Sequence, residues 1–220
     1  MDKLLRVIGW TAVVLGVVGG LARALLCEGW TIPDENTRLG VSMEPSLTAG
    51  DTVLMLSHGS PGFGDLVRCT DPDDANGFVV GRVAGLSGDV VEVSGRDLAV
   101  NNKRYMSEQA CPIPRVTVVH PTSQKEVTIS CDQVDMGGRV HYRGYTSKAD
   151  IFTATKASVT AGMVFLLSDD RSYHDDSRDF GMVPCASSIA KTFAICVSRS
   201  AAPRDRERVV KAALGVTRYF

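Results

Sequence analysis

An excess of charge of one sign is missing from this chain: 24 Lys and Arg stand against 25 Asp and Glu, a formal net charge of −1. Without a basic excess there is no electrostatic footprint for nucleic acid. Metal-ligand spacing is missing as well. The six cysteines, at positions 27, 69, 111, 131, 185 and 196, form no C-x-x-C pair, and none of the four histidines stands at ligand spacing. That argues against a zinc site. Aromatic residues make up only 6% of the chain, and no internal repeat or low-complexity segment interrupts it. What is present is glycine, 21 of 220 residues, and short Val-rich apolar runs alternating with turn residues. This is the composition of a mostly β protein, long enough for one large or two small domains with a real core.

Residues Leu4–Leu26 are almost continuously apolar, broken only by Arg6 and Arg23. The run Val7–Ala22 extends to about 20 residues if Arg23 snorkels, enough to span a bilayer. A removable signal peptide is the rival reading, but the apolar stretch exceeds an ordinary h-region and Ala22-Arg23-Ala24 is a poor cleavage site. A retained N-terminal transmembrane helix over residues 1–27 is therefore expected. Lys3 and Arg6 place its N-terminus in the cytoplasm and the rest of the chain outside. Glu28–Arg38 reads as a polar connector. Strands are expected at Thr52–Leu56, Asp65–Cys69, Gly77–Val83, Val90–Val93, Leu98–Val100, Met163–Leu167 and Thr192–Val197, with Asn101-Asn102 as a hairpin turn. Residues 28–105 and 161–200 are assigned to one antiparallel β core, and 106–160 to a smaller inserted β lobe. In that lobe Val116–His120 and Glu126–Cys131 form a hairpin, bracketed by Cys111 and Cys131, which bridge if the lobe lies in an oxidising compartment. The basic tail, 201–220, carries apolar residues at helical spacing and lies on anionic lipid or is a solvated terminus.

Chemistry centres on Gly40–Leu47, G-V-S-M-E-P-S-L, where Ser42 offers a hydroxyl between a glycine and the stiffening Pro45. Rigid β structure just downstream suits a nucleophile. Three further segments accompany it in order: Gly64-Asp65 before a strand; Gly81-Arg82-Val83-Ala84-Gly85-Leu86-Ser87-Gly88-Asp89; and Ser168-Asp169-Asp170-Arg171 followed by Asp176-Ser177-Arg178-Asp179-Phe180-Gly181-Met182-Val183-Pro184.

With the anchor in front, these segments resemble the type I signal peptidases, membrane-bound serine endopeptidases of family S26. The family pattern runs S-M-x-P-(T/S)-L, G-D-x-(V/I)-V, K-R-x-x-G-x-P-G-D and G-D-N-R-x-x-S-x-D-S-R-x-x-G-x-V. The resemblance implies a mostly β fold: an antiparallel β-sheet catalytic core with an inserted second β domain. It implies removal of signal peptides from exported preproteins after Ala-x-Ala-type sites at the outer, periplasmic face of the inner membrane. Preproteins, membrane lipid and the secretion translocon are the implied partners, and no metal or organic cofactor is implied. Ser42 takes the nucleophile position, with its backbone N–H in the oxyanion hole. Gly40 stands where some members carry a further serine donor. Arg82 matches the arginine after the catalytic lysine, and Asp176 and Arg178 match a structural ion pair beside the site.

Two departures bear on the chemistry. The family's general base is a desolvated lysine, and that position is Gly81; Arg82 cannot replace it, because a guanidinium keeps its proton. Among the other lysines, Lys191 is the nearest substitute. Where the family has a serine close to that lysine, this chain has His174. An imidazole is the commonest general base at neutral pH, and Asp176 or Asp175 is placed to orient its second nitrogen. The expectation is that the base has moved from position 81 to His174, the ring entering the space the lysine leaves. The alternatives are a non-catalytic relative that binds exported peptides or a partner peptidase, and a specialised enzyme processing pilins of conjugative systems. His58, His120 and His141 fall outside every motif and are expected at surface or β-lobe positions.

Overall fold

Valine-rich runs separated by Gly, Asn and Asp turns become strands because branched side chains pack well on a pleated sheet. The computed structural model describes residues 2–33, 37–56, 60–74, 77–146, 154–184 and 191–197. In chain order the elements are α1 (Asp2–Leu26), β1 (Cys27–Thr31), α2 (Thr37–Ser42), β2 (Thr52–Leu56), β3 (Leu66–Thr70) and β4 (Phe78–Gly85). They continue with β5 (Val90–Ser94), β6 (Asp97–Val100), β7 (Lys103–Tyr105), β8 (Ser107–Val119), β9 (Glu126–Asp135) and β10 (Val140–Tyr145). The last are β11 (Ala154–Ser158), β12 (Phe165–Leu167), α3 (Ser177–Phe180) and β13 (Lys191–Val197).

The strands make three antiparallel sheets: six strands in the order β1-β2-β13-β3-β4-β12, four in the order β11-β5-β6-β7, and three in the order β10-β9-β8. The protein is thus mostly β, as its composition indicates. The three-stranded sheet is built entirely from residues expected in the insert, whereas β11, also within 106–160, pairs with β5. Asn101 and Asn102 have φ of 50° and 65°, the conformation a two-residue hairpin turn requires, and they join β6 to β7. Cys111 and Cys131 are bridged across β8 and β9. The tail 201–220, Cys185 and His58 lie outside the described residues.

The connector differs from its polar reading. Its first residues form β1, paired with β2 so that Trp30 faces Val53. Half-buried Trp30 packs against the cluster of Ile32, Leu39, Met43, Leu47, Val53, Met55, Leu66 and Val80. The Arg68 guanidinium lies 5.0 Å from the Trp30 ring centre and bonds Glu28 at 3.2 Å. A strand edge tolerates such polar residues because only one face must be apolar.

Among the described residues no helix is long and apolar enough to cross a membrane. Side chains of α1 are described over residues 6–19, about 21 Å of helix, and all of them are exposed.

Candidate active site

Ser42 is the last residue of α2. The helix ends into a tight turn: the Glu44 N–H bonds the Val41 carbonyl at 3.1 Å, and the Ser46 and Leu47 N–H groups bond the Met43 carbonyl at 2.8 and 2.9 Å. Met43 and Leu47 drop into the core beneath and fix the turn. Gly40 packs closely here: a Cβ on it would meet the Ala49 Cβ at 3.0 Å, so Ala49 would have to give by a few tenths of an ångström. The Ser42 hydroxyl is fully buried and donates to the Leu39 carbonyl at 3.2 Å.

The motif segment 169–171 runs between this turn and the end of β10. Asp170 N–H donates to the Ser42 carbonyl at 2.9 Å, while Gly144 N–H donates to the Asp169 carbonyl at 3.0 Å and Arg171 N–H to the Gly144 carbonyl at 2.8 Å. Backbone alternation then aims Asp169 and Asp170 to opposite sides. Asp169 meets Arg82, whose Nε and Nη2 grip both carboxylate oxygens at 2.8 and 2.6 Å, and it also accepts the Ser46 hydroxyl. Burial alone pushes the Asp169 carboxyl up, but the Arg82 charge and hydrogen bonds, with smaller help from the Ser46 hydroxyl, hold it below the usual range. Asp176 repeats this logic. Burial is opposed by Arg178, whose Nε and Nη2 lie 2.9 and 2.8 Å from its oxygens, and by the Ser168 N–H at 2.8 Å, and its carboxyl also stays low.

Gly81 sits on β4 opposite Val67. A Cβ there would lie 2.9 Å from the Leu166 Cβ and 3.6 Å from its Cδ1. A side chain at 81 therefore presses on Leu166, which must shift to admit it. Lys191 opens β13 opposite Arg68.

His174 is partly exposed, and its Nδ1 lies 2.7 Å from Asp179 Oδ2. The orienting carboxylate is thus Asp179, where Asp176 or Asp175 was expected, because the Asp176 oxygens are taken by Arg178 and by backbone N–H groups. Asp179 reaches the ring because it closes a capping box over Asp176 at the start of α3. The D-x-x-D spacing was a sequence signal for this fold-back. No hydrogen bond joins Ser42 to His174; the hydroxyl faces Leu39 and the ring faces Asp179. One ligand atom each from His174, Asp176 and Asp179 lies within 4.8 Å of the others. With the Asp176 lone pairs already engaged, this set suits an oriented imidazole better than a cation.

His141 is the site neighbour that no motif revealed. It lies on β10, fully buried, with Nε2 3.7 Å from Asp169 Oδ1 and neither ring nitrogen hydrogen-bonded. Burial, then the charges of Arg82, Arg171 and Arg143, pull it well below the ordinary imidazole value against the opposing pull of Asp169, so the ring is neutral. Arg143, also buried, forks onto Asp132 at 2.8 and 2.7 Å. Arg171 is drawn down to about 9 by burial and by the Arg143 and Arg178 charges, and is still a cation at neutral pH.

The sequence as a whole places this arrangement. Two curated relatives, each named "Signal peptidase I", come from Pseudomonas fluorescens and Pseudomonas aeruginosa. Each is 26% identical over 203 residues, covering 80% of this chain and 66% of its own length. The chain thus spans just under two thirds of these relatives. The profile of the family described as "Signal peptidase, peptidase S26" matches residues 4–197, nearly the whole chain and every motif segment around Ser42, Arg82 and Asp176, so the chain belongs to the signal peptidase family.

Proposed function

We propose that this chain is a membrane-anchored serine endopeptidase that removes signal peptides from exported preproteins after Ala-x-Ala-type sites, with Ser42 as nucleophile and His174 as general base. The observation that carries this reading is the His174–Asp179 pair. A carboxylate only accepts, so the imidazole donates from Nδ1 at 2.7 Å and leaves the Nε2 lone pair available. In the reaction Ser42 Oγ forms a bond to the scissile carbonyl carbon as its proton passes to His174 Nε2. The carbonyl electrons move onto oxygen, beside the Ser42 N–H. Collapse breaks the peptide bond, and the imidazolium gives its proton to the leaving amine. Water then repeats the sequence on the acyl-enzyme. Ser42 must first release the Leu39 carbonyl and become accessible, a rearrangement that substrate binding supplies; catalytic hydrogen bonds commonly tighten only in the complex. Arg82–Asp169 and Asp176–Arg178 hold the walls.

The stretch of α1 whose side chains are described, residues 6–19, is too short to span a bilayer by itself. With the apolar residues that follow it to Leu26 it reaches the roughly 20 residues a span needs, and α1 (Asp2–Leu26) is proposed as the single-pass anchor. Val7, Ile8, Trp10, Val13, Val14, Leu15, Val17 and Val18 are all more than half exposed, as lipid-facing residues are. The N-terminus is cytoplasmic and the β sheets are exported, in keeping with the Cys111–Cys131 disulfide. Preproteins, lipid and the translocon are the proposed partners.

The second reading is a non-catalytic family member that binds exported peptides or a partner peptidase. It is favoured by the crowding of position 81 by Leu166 and by the buried Ser42 hydroxyl. Cleavage of an Ala-x-Ala preprotein by detergent-solubilised full-length protein separates the two. The peptidase reading requires that wild type cuts and that Ser42→Ala and His174→Ala do not. A wild type that binds the peptide without cutting it establishes the second reading.

A further inference from the structure

Glycine weakens the interior of a strand, having no side chain to pack and the most backbone freedom to lose, so a strand glycine marks a bulge or the close approach of another backbone. Gly144, near the end of β10, stands in none of the motif segments and marks such an approach. A Cβ on it would meet the Ile129 Cδ1 at 2.7 Å, the Glu44 carbonyl oxygen at 3.1 Å and the Pro45 Cδ at 3.4 Å. Two of these three atoms belong to the turn that follows Ser42. The Gly144 backbone lies outside the left-handed region, so space alone, and not strain, decides what fits there.

Strand β10 is held against retreat from that turn. Gly144 pairs with Cys131 on β9, and on its other edge its N–H bonds the Asp169 carbonyl at 3.0 Å and its carbonyl accepts the Arg171 N–H at 2.8 Å. Its neighbours are pinned too. Arg143 forks onto Asp132 and donates to the Arg96 carbonyl at 2.8 Å, and the Thr146 N–H donates to the Ser172 hydroxyl at 2.8 Å. Of the two crowded neighbours, Ile129 offers only the tip of a side chain, which can turn. The Glu44 oxygen is backbone, in a turn closed by the Glu44 N–H on the Val41 carbonyl and by the Ser46 and Leu47 N–H groups on the Met43 carbonyl. That oxygen moves only with the turn, and the turn carries Ser42.

We propose that Gly144 is a positioning residue for Ser42: by carrying no side chain it lets the nucleophile's turn rest directly on β10, and this contact sets where the Ser42 hydroxyl stands. The inference rests on the reading of Ser42 as nucleophile. The Asp170 N–H bond to the Ser42 carbonyl ties the turn to the motif segment, and Gly144 sets how closely the same turn approaches the three-stranded sheet.

The test compares full-length wild type, Gly144→Ala, Ile129→Val and the double variant in detergent. Ile129→Val deletes the atom that the new Cβ meets at 2.7 Å and leaves the Glu44 oxygen in place, so it separates relief of core crowding from placement of the turn. Gly144→Ala is expected to melt lower than wild type and to cut an Ala-x-Ala peptide with kcat reduced about tenfold and KM little changed, since a misplacement of about 1 Å can cost about a hundredfold. Ile129→Val alone is expected to keep the wild-type kcat. The double variant is expected to regain most of the lost melting temperature and to keep the reduced kcat; where Gly144→Ala alone does not fold, it is compared with Ile129→Val. Met43 anchors the turn, and its methyl resonance in methionine-labelled protein, assigned with Met43→Leu, reads the turn without turnover. It is expected to shift in Gly144→Ala and to stay shifted in the double variant. A kcat that returns with the melting temperature, a Gly144→Ala enzyme with the wild-type kcat, or an unmoved Met43 resonance overturns the proposal. A Ser42→Ala protein that still cuts, or a wild type that binds the peptide without cutting, instead overturns the reading on which it rests, and the Met43 resonance then decides whether Gly144 places the turn.

Discussion

Asp170 is fully buried and its Oδ2 has no hydrogen-bond partner, so its carboxyl carries a stability cost that changes with pH. Its carboxyl is raised from 3.8 to about 6 by burial, so between those values the folded protein holds a proton that the unfolded chain has released. The protonated group therefore contributes stability that is fully present below about pH 3.8 and is lost as pH rises through about 6. Rounding the shift to two units at 1.36 kcal/mol each, ionisation costs the wild type about 3 kcal/mol at pH 7.5. Asp170→Asn removes this cost but puts an amide nitrogen where the unpartnered Oδ2 lies, an offset of about 1 kcal/mol or more that does not depend on pH. The pH dependence of the difference is thus the secure quantity. Urea unfolding of both proteins in one detergent at pH 3.5 and pH 7.5 is the assay. Relative to wild type, Asp170→Asn is expected to gain about 3 kcal/mol between the two conditions, because every other carboxyl cancels in the comparison. A variant whose stability difference is the same at both pH values refutes the burial argument.

Further outcomes follow from neighbouring groups. Arg82→Ala leaves Asp169 buried without its guanidinium, and a loss of about 3–5 kcal/mol in urea unfolding is expected; a loss under 1 kcal/mol contradicts the role given to the pair. His141 is depressed, so the unfolded chain binds its proton first, and stability present above about pH 6.5 is lost as pH falls below it. His141→Leu is expected to flatten the acid slope of the melting temperature between pH 7 and 5, with an unchanged slope counting against a neutral ring beside Arg82, Asp169, Arg143 and Arg171. Gly81→Lys is expected to lower stability by about 1–3 kcal/mol, since its Cβ presses on Leu166, and not to raise cleavage by itself. A simple rescue by that lysine contradicts the crowding.

How far the chain could be read depended on which residues advertise themselves. Arg82, Asp176 and Arg178 stand in segments that the sequence singles out, and specific bonds hold them there: the Arg82 fork on Asp169 and the Arg178 fork on Asp176. Strands β2 to β6 were legible from apolar runs bounded by turns. Strand β10 was not, because V-H-Y-R-G-Y carries buried polar groups in place of apolar alternation: Arg143 is paired with Asp132 on the neighbouring strand, and His141 is buried as a neutral ring. The Asp179 partner of His174 was hidden for a related reason. Proximity in sequence favoured Asp175 and Asp176, and only the capping geometry of α3 brings the third carboxylate back over the ring. Helix α2 was missed because six residues are too few for a periodic pattern to register.

The central claim is that the base left position 81 and is now His174. The most direct measurement is kcat/KM for an Ala-x-Ala peptide at pH 7.5, using full-length wild type, His174→Ala and Ser42→Ala. The account predicts that wild type cuts and that each variant is slower by at least about a hundredfold. A His174→Ala protein that cuts at the wild-type rate contradicts it.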